Sequence, residues 1–306
     1  CVVRVAREAS SIWHIFLSAL PAFISIVALV VIISVVSNHF LTRSFIAPIE
    51  QVANNLDNLD KVTVYKEMHP FVTTIKKQHD DIIKNAIMRQ EFTANVSHEL
   101  KTPLTAISGY SELIKNGMAG SEDIGRFANE IYTNANRLLT LINDIINLSE
   151  LDRGAPLEYE DVDISEIAGN CVSMLDFHAK ENQVTLHFDG EKTIVRGNKN
   201  KLEEVVYNLC DNAIRYNKAG GEVWVTVKNS PEGKILSVRD NGIGISKENQ
   251  KRIFERFYRV DKSRSKKTGG TGLGLAIVKH IIEQHNFKIE VISDENIGTT
   301  INVIMK

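Results

Sequence analysis

Cysteine is scarce in these 306 residues, and what there is does not pair: Cys1, Cys171 and Cys210 lie far apart and form no CxxC. That spacing excludes a disulfide framework and a zinc site and suits a reducing compartment, so most of the chain is expected to be intracellular. Nor is there an excess of positive charge. The 36 Lys and Arg against 38 Asp and Glu leave a net charge of −2, which argues against a nucleic-acid partner. Two phosphate-binding signatures are missing as well. No G-x-x-x-x-G-K-[ST] occurs, and Gly270, Gly272 and Gly274 fail G-x-G-x-x-G because Leu275 and Ile277 stand where the third glycine is needed, so Walker and Rossmann sites are excluded. The remaining composition, 24% charged and 7% aromatic, is that of an ordinary globular chain, long enough for about two domains.

Charge is also absent from Ile12 to Val36, where no Asp, Glu, Lys or Arg occurs. A helix of that length, rising about 1.5 Å per residue, crosses a hydrocarbon core of about 30 Å. A buried core helix is the alternative, but such helices rarely stay apolar on every face. Pro21 is tolerated in a spanning helix, and the length and distant basic flank disfavour a signal peptide. Arg4 and Arg7 precede the run and only Arg43 follows closely, so the local positive-inside count mildly opposes a cytoplasmic C-terminal side. That orientation is adopted because the chemistry below needs ATP. Residues 1–11, opening on Cys1, are expected to be the end of a missing extracytoplasmic sensor region, and 12–37 a transmembrane helix. In 38–90, Ile49, Val52, Leu56 and Leu59, and then Ile75, Ile82, Ile83 and Ile87 after Pro70, keep helical spacing. Two helices behind a span resemble a HAMP signalling linker, although no clear connector glycine is present. A plain helical stalk fits the same spacing.

Over residues 91–153 the pattern becomes that of a helical hairpin. At about 100° per residue, Phe92, Val96, Leu100, Leu104, Ile107 and Ile114 all lie roughly 110° or more from His98, so His98 faces water. Ala94, Lys101, Thr102 and Thr105 share its face, and Pro103 can kink the helix just beyond it. In the next helix, about Asp123 to Leu151, Ile124, Ala128, Ile131, Ala135, Leu138, Ile142 and Ile145 form a heptad seam. One hairpin cannot bury both apolar stripes, so a homodimeric four-helix bundle is expected. The run His98-Glu99-Leu100-Lys101-Thr102-Pro103-Leu104 resembles the phosphoacceptor box of histidine kinases.

From about residue 160 to 306, helices expected at Ser165–Lys180, Lys199–Arg215 and Leu275–His285 alternate with strands at Val184–Phe188, Val223–Val227, Ile235–Arg239, Lys288–Ser293 and Thr299–Ile304. That texture predicts an α+β sandwich, hinged to the hairpin at Asp152-Arg153-Gly154-Ala155-Pro156. Four motifs follow in order. Asn208-Leu209-Cys210-Asp211-Asn212-Ala213-Ile214-Arg215-Tyr216 resembles the N box of histidine kinases, and Asp240-Asn241-Gly242-Ile243-Gly244 the first glycine box. Phe254-Glu255-Arg256-Phe257-Tyr258-Arg259 resembles the F box, and Gly269-Gly270-Thr271-Gly272-Leu273-Gly274-Leu275 the second glycine box. The likeness covers roughly 91–306, and the overall texture is similar to phosphate-regulon-type sensor kinases.

The resemblance implies a bacterial membrane protein with cytoplasmic kinase domains. It would phosphorylate its own His98 from ATP and Mg2+ and pass the phosphoryl group to an aspartate of a response regulator. His98 is then the nucleophile, and Glu99 accepts a hydrogen bond from its other ring nitrogen, unless Glu99 is an ordinary solvated glutamate. Thr102 orients a water that dephosphorylates the partner, or only sets up the turn at Pro103. Asp240 accepts from the adenine amino group, with Gly242 and Gly244 letting backbone come close to the base. Gly270, Thr271, Gly272, Leu273 and Gly274 offer backbone donors to the phosphates ahead of a helix. Asn212 suits Mg2+, with Asn208 four residues before it and Arg215 and Tyr216 a turn after it. Arg215 stands where the family often has Lys, which keeps the charge with a different geometry. Lys262, Arg264, Lys266 and Lys267 read as a lid over ATP or as a solvated loop. Two alternatives share the fold. One is a water-splitting ATPase, which by family pattern carries a glutamate base where Asn208 stands; the other is a non-catalytic scaffold, which would be expected to lack some of the boxes.

Overall fold

The computed structural model describes residues 10–46, 68–154, 157–231, 233–260 and 270–305. Residues 1–9, the first expected linker helix around Ile49 to Leu59, the basic stretch Lys262 to Lys267, Gly269, and Ala155 and Pro156 of the expected hinge lie outside them. The chain divides into two compact units, Cys1–Gln90 and Glu91–Lys306.

In the first unit, helix α1 spans Ser10–Leu41 and passes into a π-helical turn, Thr42–Ile46. The segment Trp13–Ser44 is long and apolar enough to cross a membrane, with a mean hydropathy of 2.9 in its best window and none of that window buried. Several of its hydroxyls bond back to carbonyls one turn earlier. Ser25 donates to the Pro21 carbonyl at 2.8 Å and Ser18 to the Ile15 carbonyl at 2.9 Å, local bonds that keep a hydroxyl paired in an apolar helix.

Helix α2, His69–Lys115, continues through Pro103, and α3 spans Ser121–Asp152 after a turn at Gly117, where φ is +68°. Glu122 and Asp123 in the first turn of α3 suit the positive end of its dipole. The helices run back against each other, with the Tyr110 and Phe127 rings 5.2 Å apart. Large apolar side chains on this hairpin remain in solvent, among them Leu104, Leu113, Ile124, Leu139, Ile142 and Ile146.

The rest is an α+β sandwich. Strands β1 (Glu160–Asp163) and β3 (Ile194–Gly197) form a small antiparallel ladder that the sequence reading lacked. The main sheet has the order β2-β4-β5-β7-β6, built from Val184–Gly190, Gly221–Ser230, Gly233–Asp240, Gly298–Met305 and Lys288–Asp294. Its β2 and β4 pair in parallel, and the other neighbours are antiparallel. Val223, Val225 and Val227 alternate inward along β4, as a half-buried strand requires. Helices α4 (Ile164–Glu181), α5 (Lys199–Arg215) and α7 (Gly274–Gln284) supply the opposite half of the core. A short α6 covers Lys247–Gln250. Asp163 and Asn198 cap α4 and α5, each accepting from a backbone N–H at 3.1 Å.

This sandwich and the hairpin share apolar packing. Leu141, Leu148 and Leu151 of α3 are at most 4% exposed and belong to the cluster that contains Leu202, Leu209 and Ile281. His280 and Gln284 of α7 both reach the Leu151 carbonyl, and Arg256 forms a bidentate pair with Asp152 at 2.7 and 3.0 Å.

Candidate functional site

A cavity of about 310 Å³ opens between α5, the strand ends and the glycine-rich segments, and α3 closes one side. It gathers Asn208, Asn212, Arg215, Tyr216, Asp240, Gly244, Gly270, Thr271, Gly272 and Gly274, residues that the sequence spreads over 67 positions and the fold brings to one wall. Gly242 and the Leu273 side chain are not part of that wall. Leu273 is fully buried in the core, and its N–H donates to Thr271 Oγ1 at 3.3 Å.

Asp240 ends β5. Its Oδ1 accepts from the backbone of Gly242 at 2.9 Å and of Thr299 at 3.2 Å. Two fixed donors on one oxygen set the plane of the carboxylate and leave Oδ2 to receive a donor from the cavity. Burial raises its pKa, against the lowering effect of those two bonds. The glycines after it also meet a demand that the sequence did not show. A Cβ at Gly242 would sit 2.4 Å from the Tyr216 carbonyl, and one at Gly244, where φ is +66°, would sit 2.0 Å from the Asp294 carbonyl. The loop thus presses against the chain's own backbone, held by Ile243 N–H to Tyr216 and Asn296 N–H to Ile243.

On α5, Asn208 and Asn212 are one turn apart. The Asn208 amide nitrogen donates to the Glu204 carbonyl at 2.9 Å, and its oxygen lies against Gly274, where a Cβ would come within 2.6 Å. Gly274 begins α7, so its missing side chain lets a helix N-terminus meet the two amides. Arg215 Nε donates to Asp211 at 2.6 Å, and that carboxylate also faces His178 at 3.6 Å. Tyr216 caps α5, its phenol pKa raised by burial.

The fold adds residues that sequence reasoning left out. Thr140 and Asp144 reach the cavity from α3, and Arg259 and Thr299 also line it. Asp144 accepts from Thr271 Oγ1 at 2.6 Å; burial raises its pKa, and the Thr271 bond opposes the rise. Arg259 has a side chain only 5% exposed, and its buried Nε has no acceptor among the described residues. An anionic oxygen entering the cavity would supply one. The F-box motif could have pointed to Arg259, whereas Asp144 carried no local signal beyond a polar residue beside the heptad seam.

Outside the cavity, His98 is exposed on α2, as its angular position predicts. Glu99, beside it, is engaged by two arginines. Its Oε2 accepts from Arg137 at 3.4 Å and from Arg259 at 3.3 Å. Thr102 is exposed, and its hydroxyl donates back to the His98 carbonyl at 3.2 Å, the local bond common for threonine in a helix.

Comparison with known proteins assigns residues 88–154 to the His Kinase A (phospho-acceptor) domain family and residues 197–306 to the histidine kinase-, DNA gyrase B- and HSP90-like ATPase family. Sensor-like histidine kinase SenX3 of Mycolicibacterium smegmatis is 38% identical over 226 residues, 72% of this chain and 59% of that protein. Heme sensor protein HssS of Staphylococcus saprophyticus is 34% identical over 303 residues, 96% of this chain and 64% of that protein. The chain thus spans about three fifths of the length of these relatives. Among solved structures, histidine kinase ThkA in complex with response regulator protein TrrA superposes with a TM-score of 0.60 at 22% identity, over 80% of this chain and 68% of that one. At that identity the likeness concerns the fold.

Proposed function

The chain belongs to the sensor histidine kinases, and from that premise we propose that it transfers the γ-phosphoryl group of ATP to His98 and then to an aspartate of a response regulator. One observation carries the reading: Arg259, which lines the cavity, reaches Glu99 on the helix where Glu99 adjoins His98. One side chain thus spans from the nucleotide site to the acceptor helix. His98 is the nucleophile, and its exposed position allows in-line approach of a neutral imidazole. Glu99 accepts from two guanidinium groups and adjoins the residue on which a cation forms.

ATP fits the cavity on three grounds. Asp240 keeps one oxygen for the adenine amino group, the start of α7 offers N–H groups to phosphate, and the orphaned Arg259 Nε lacks an anion. The residues also fit Mg2+. Among the described residues no group of three or more His, Cys, Asp or Glu could hold a metal, whereas Asn212 offers an amide oxygen to an ion that takes most of its ligands from phosphates and water. The ion would neutralise charge on the transferring phosphate. The proposed domain limits are a spanning helix at 12–37, linker at 38–90, phosphotransfer hairpin at 91–153, and ATP-binding domain at 160–306. The apolar α1 and the uncovered apolar face of the hairpin support a bilayer anchor and a homodimer, with the kinase domains in the cytoplasm. Thr102 is proposed to place water for dephosphorylating the response regulator.

Water-splitting ATPase activity is the second reading. It is disfavoured because Asn208, which stands where the family pattern of such ATPases has a glutamate base, cannot take a proton from water. Incubation with γ-labelled ATP separates the readings. Acid-labile label on the protein is expected, and it disappears in His98→Gln while ATP affinity stays near wild type. Label retained on His98→Gln, or free phosphate alone, overturns the assignment.

A further inference from the structure

We infer that each protomer of the dimer phosphorylates its own His98 and leaves its partner's alone. The inference rests on the kinase reading and on the homodimer proposed above. A phosphate-transfer site must come to the histidine, and two copies of His98 are available in a dimer. The direction in which the ATP-binding domain leans on the hairpin decides between them.

That domain straddles both helices of its own hairpin. On α3 it holds Asp144 through Thr271 at 2.6 Å and Asp152 through Arg256 at 2.7 Å. On α2, the helix that bears His98, Phe257 packs on Phe92 with ring centroids 5.6 Å apart, and the Arg256 guanidinium lies 5.4 Å over the same ring. Seven residues further along α2, Arg259 closes on Glu99 at 3.3 Å. The contacts to α2 come from the F-box segment, whose Arg259 also lines the cavity, while the second glycine box reaches α3 of the same hairpin, so both edges of the cavity lean on the chain's own helices.

The partner copy belongs on a different side. The uncovered apolar residues of α3 are Ile124, Tyr132, Leu139, Ile142 and Ile146. At about 100° per residue they lie roughly 120° to 160° around the helix from Asp144. A second hairpin that covers them is separated from the cavity by the thickness of α3, and helix axes in such bundles are about 8–10 Å apart. The partner's acceptor helix therefore starts one interhelix spacing further from the cavity than the chain's own, and a contact of the Arg259–Glu99 kind reaches only the latter. The domain would have to release Phe92, Glu99, Asp144 and Asp152 and swing past α3 to serve the partner.

Two mixed dimers of the full chain test this, each isolated by tandem purification on two different affinity tags, so that only folded, paired chains are measured. In the first, a wild-type protomer is paired with one that carries both His98→Gln and Asn212→Asp. In the second, a His98→Gln protomer is paired with an Asn212→Asp protomer, so that nucleotide site and histidine sit on different chains. Within-protomer transfer gives the first dimer about half the label of the wild-type dimer, one working acceptor of two, and the second no more than background. Label on the second with none on the first overturns the inference, and so does equal label on both. The pair is repeated with Asp240→Asn in place of Asn212→Asp, so the outcome does not hang on one variant. A wild-type dimer that takes no label fails the kinase reading itself, a result distinct from either labelling pattern, and the inference falls with it.

Discussion

At the scale of single residues, the chemistry turns on how each polar side chain spends its hydrogen bonds. Asp240 uses Oδ1 on two backbone donors, which leaves Oδ2 for the proposed adenine contact. Asp240→Asn is expected to weaken ATP binding by about 1.5 to 3 kcal/mol, the range for a charge-assisted hydrogen bond in a desolvated pocket. Calorimetry checks it, and wild-type affinity in the variant removes the adenine role. The acid dependence follows from the direction of the pKa shift. Burial raises the Asp240 pKa, so as pH falls this carboxylate takes up its proton before an ordinary one does. The acceptor is lost as it protonates. Affinity for ATP should therefore decline on acidification from a higher pH than a solvent-exposed aspartate would give, and the decline should be absent in Asp240→Asn. Thr102 spends its hydroxyl proton on the His98 carbonyl, which leaves its oxygen lone pairs to accept from a water. Thr102→Ala should keep autophosphorylation and transfer but lose most of the phosphatase activity on a purified, phosphorylated response regulator. Unchanged dephosphorylation would leave Thr102 with only its bond inside the helix.

At the scale of elements, α3 is both a bundle helix and a wall of the nucleotide cavity. Leu141, Leu148 and Leu151 fall on one stripe that the ATP-binding domain covers, and Asp144 lies on the same stripe. Apolar packing at three positions therefore carries a carboxylate into the cavity beside Thr271, where phosphate is expected. Two anionic groups at one donor repel each other, and a partly buried site screens that repulsion less than water does. Asp144→Ala is expected to tighten ATP binding roughly fivefold, about 1 kcal/mol. Titration calorimetry of the variant against wild type measures it, and weaker binding would mean that Asp144 assists the nucleotide through Thr271. The two buried aspartates thus work in opposite senses on acidification, since protonating Asp144 removes a repulsion and protonating Asp240 removes an acceptor.

At the scale of the whole molecule, the exposed apolar residues on the hairpin are too large and too aligned to face water in the working protein. Ile142 and Ile146 lie one turn apart on the face of α3 turned away from the cavity. Placing a charge there leaves it unpaired in an apolar interface, which costs several kcal/mol. Ile142→Glu is expected to raise the dissociation constant of the dimer by about 100-fold or more. Sedimentation velocity should show monomer where the wild type shows dimer. Nucleotide binding should persist, because the cavity is built from one chain.

The sequence alone determined what depends on short-range pattern. The heptad seam, the position of His98 on a watery face, the order of the four boxes and the main strands and helices of the sandwich follow from residues a few positions apart, where propensity and periodicity act. It was silent on β1 and β3, four residues each, because strands that short carry too little alternation to register. Only the tertiary structure decided who meets whom across long stretches of chain. Glu99 takes Arg137 and Arg259 as partners from 38 and 160 positions away, and Thr271 takes Asp144 from 127. Gly242 and Gly244 answer to the carbonyls of Tyr216 and Asp294. A close approach of this kind is set by where helices and loops finally pack. A hydrogen bond changes from good to absent within about an ångström, a tolerance that local pattern does not resolve.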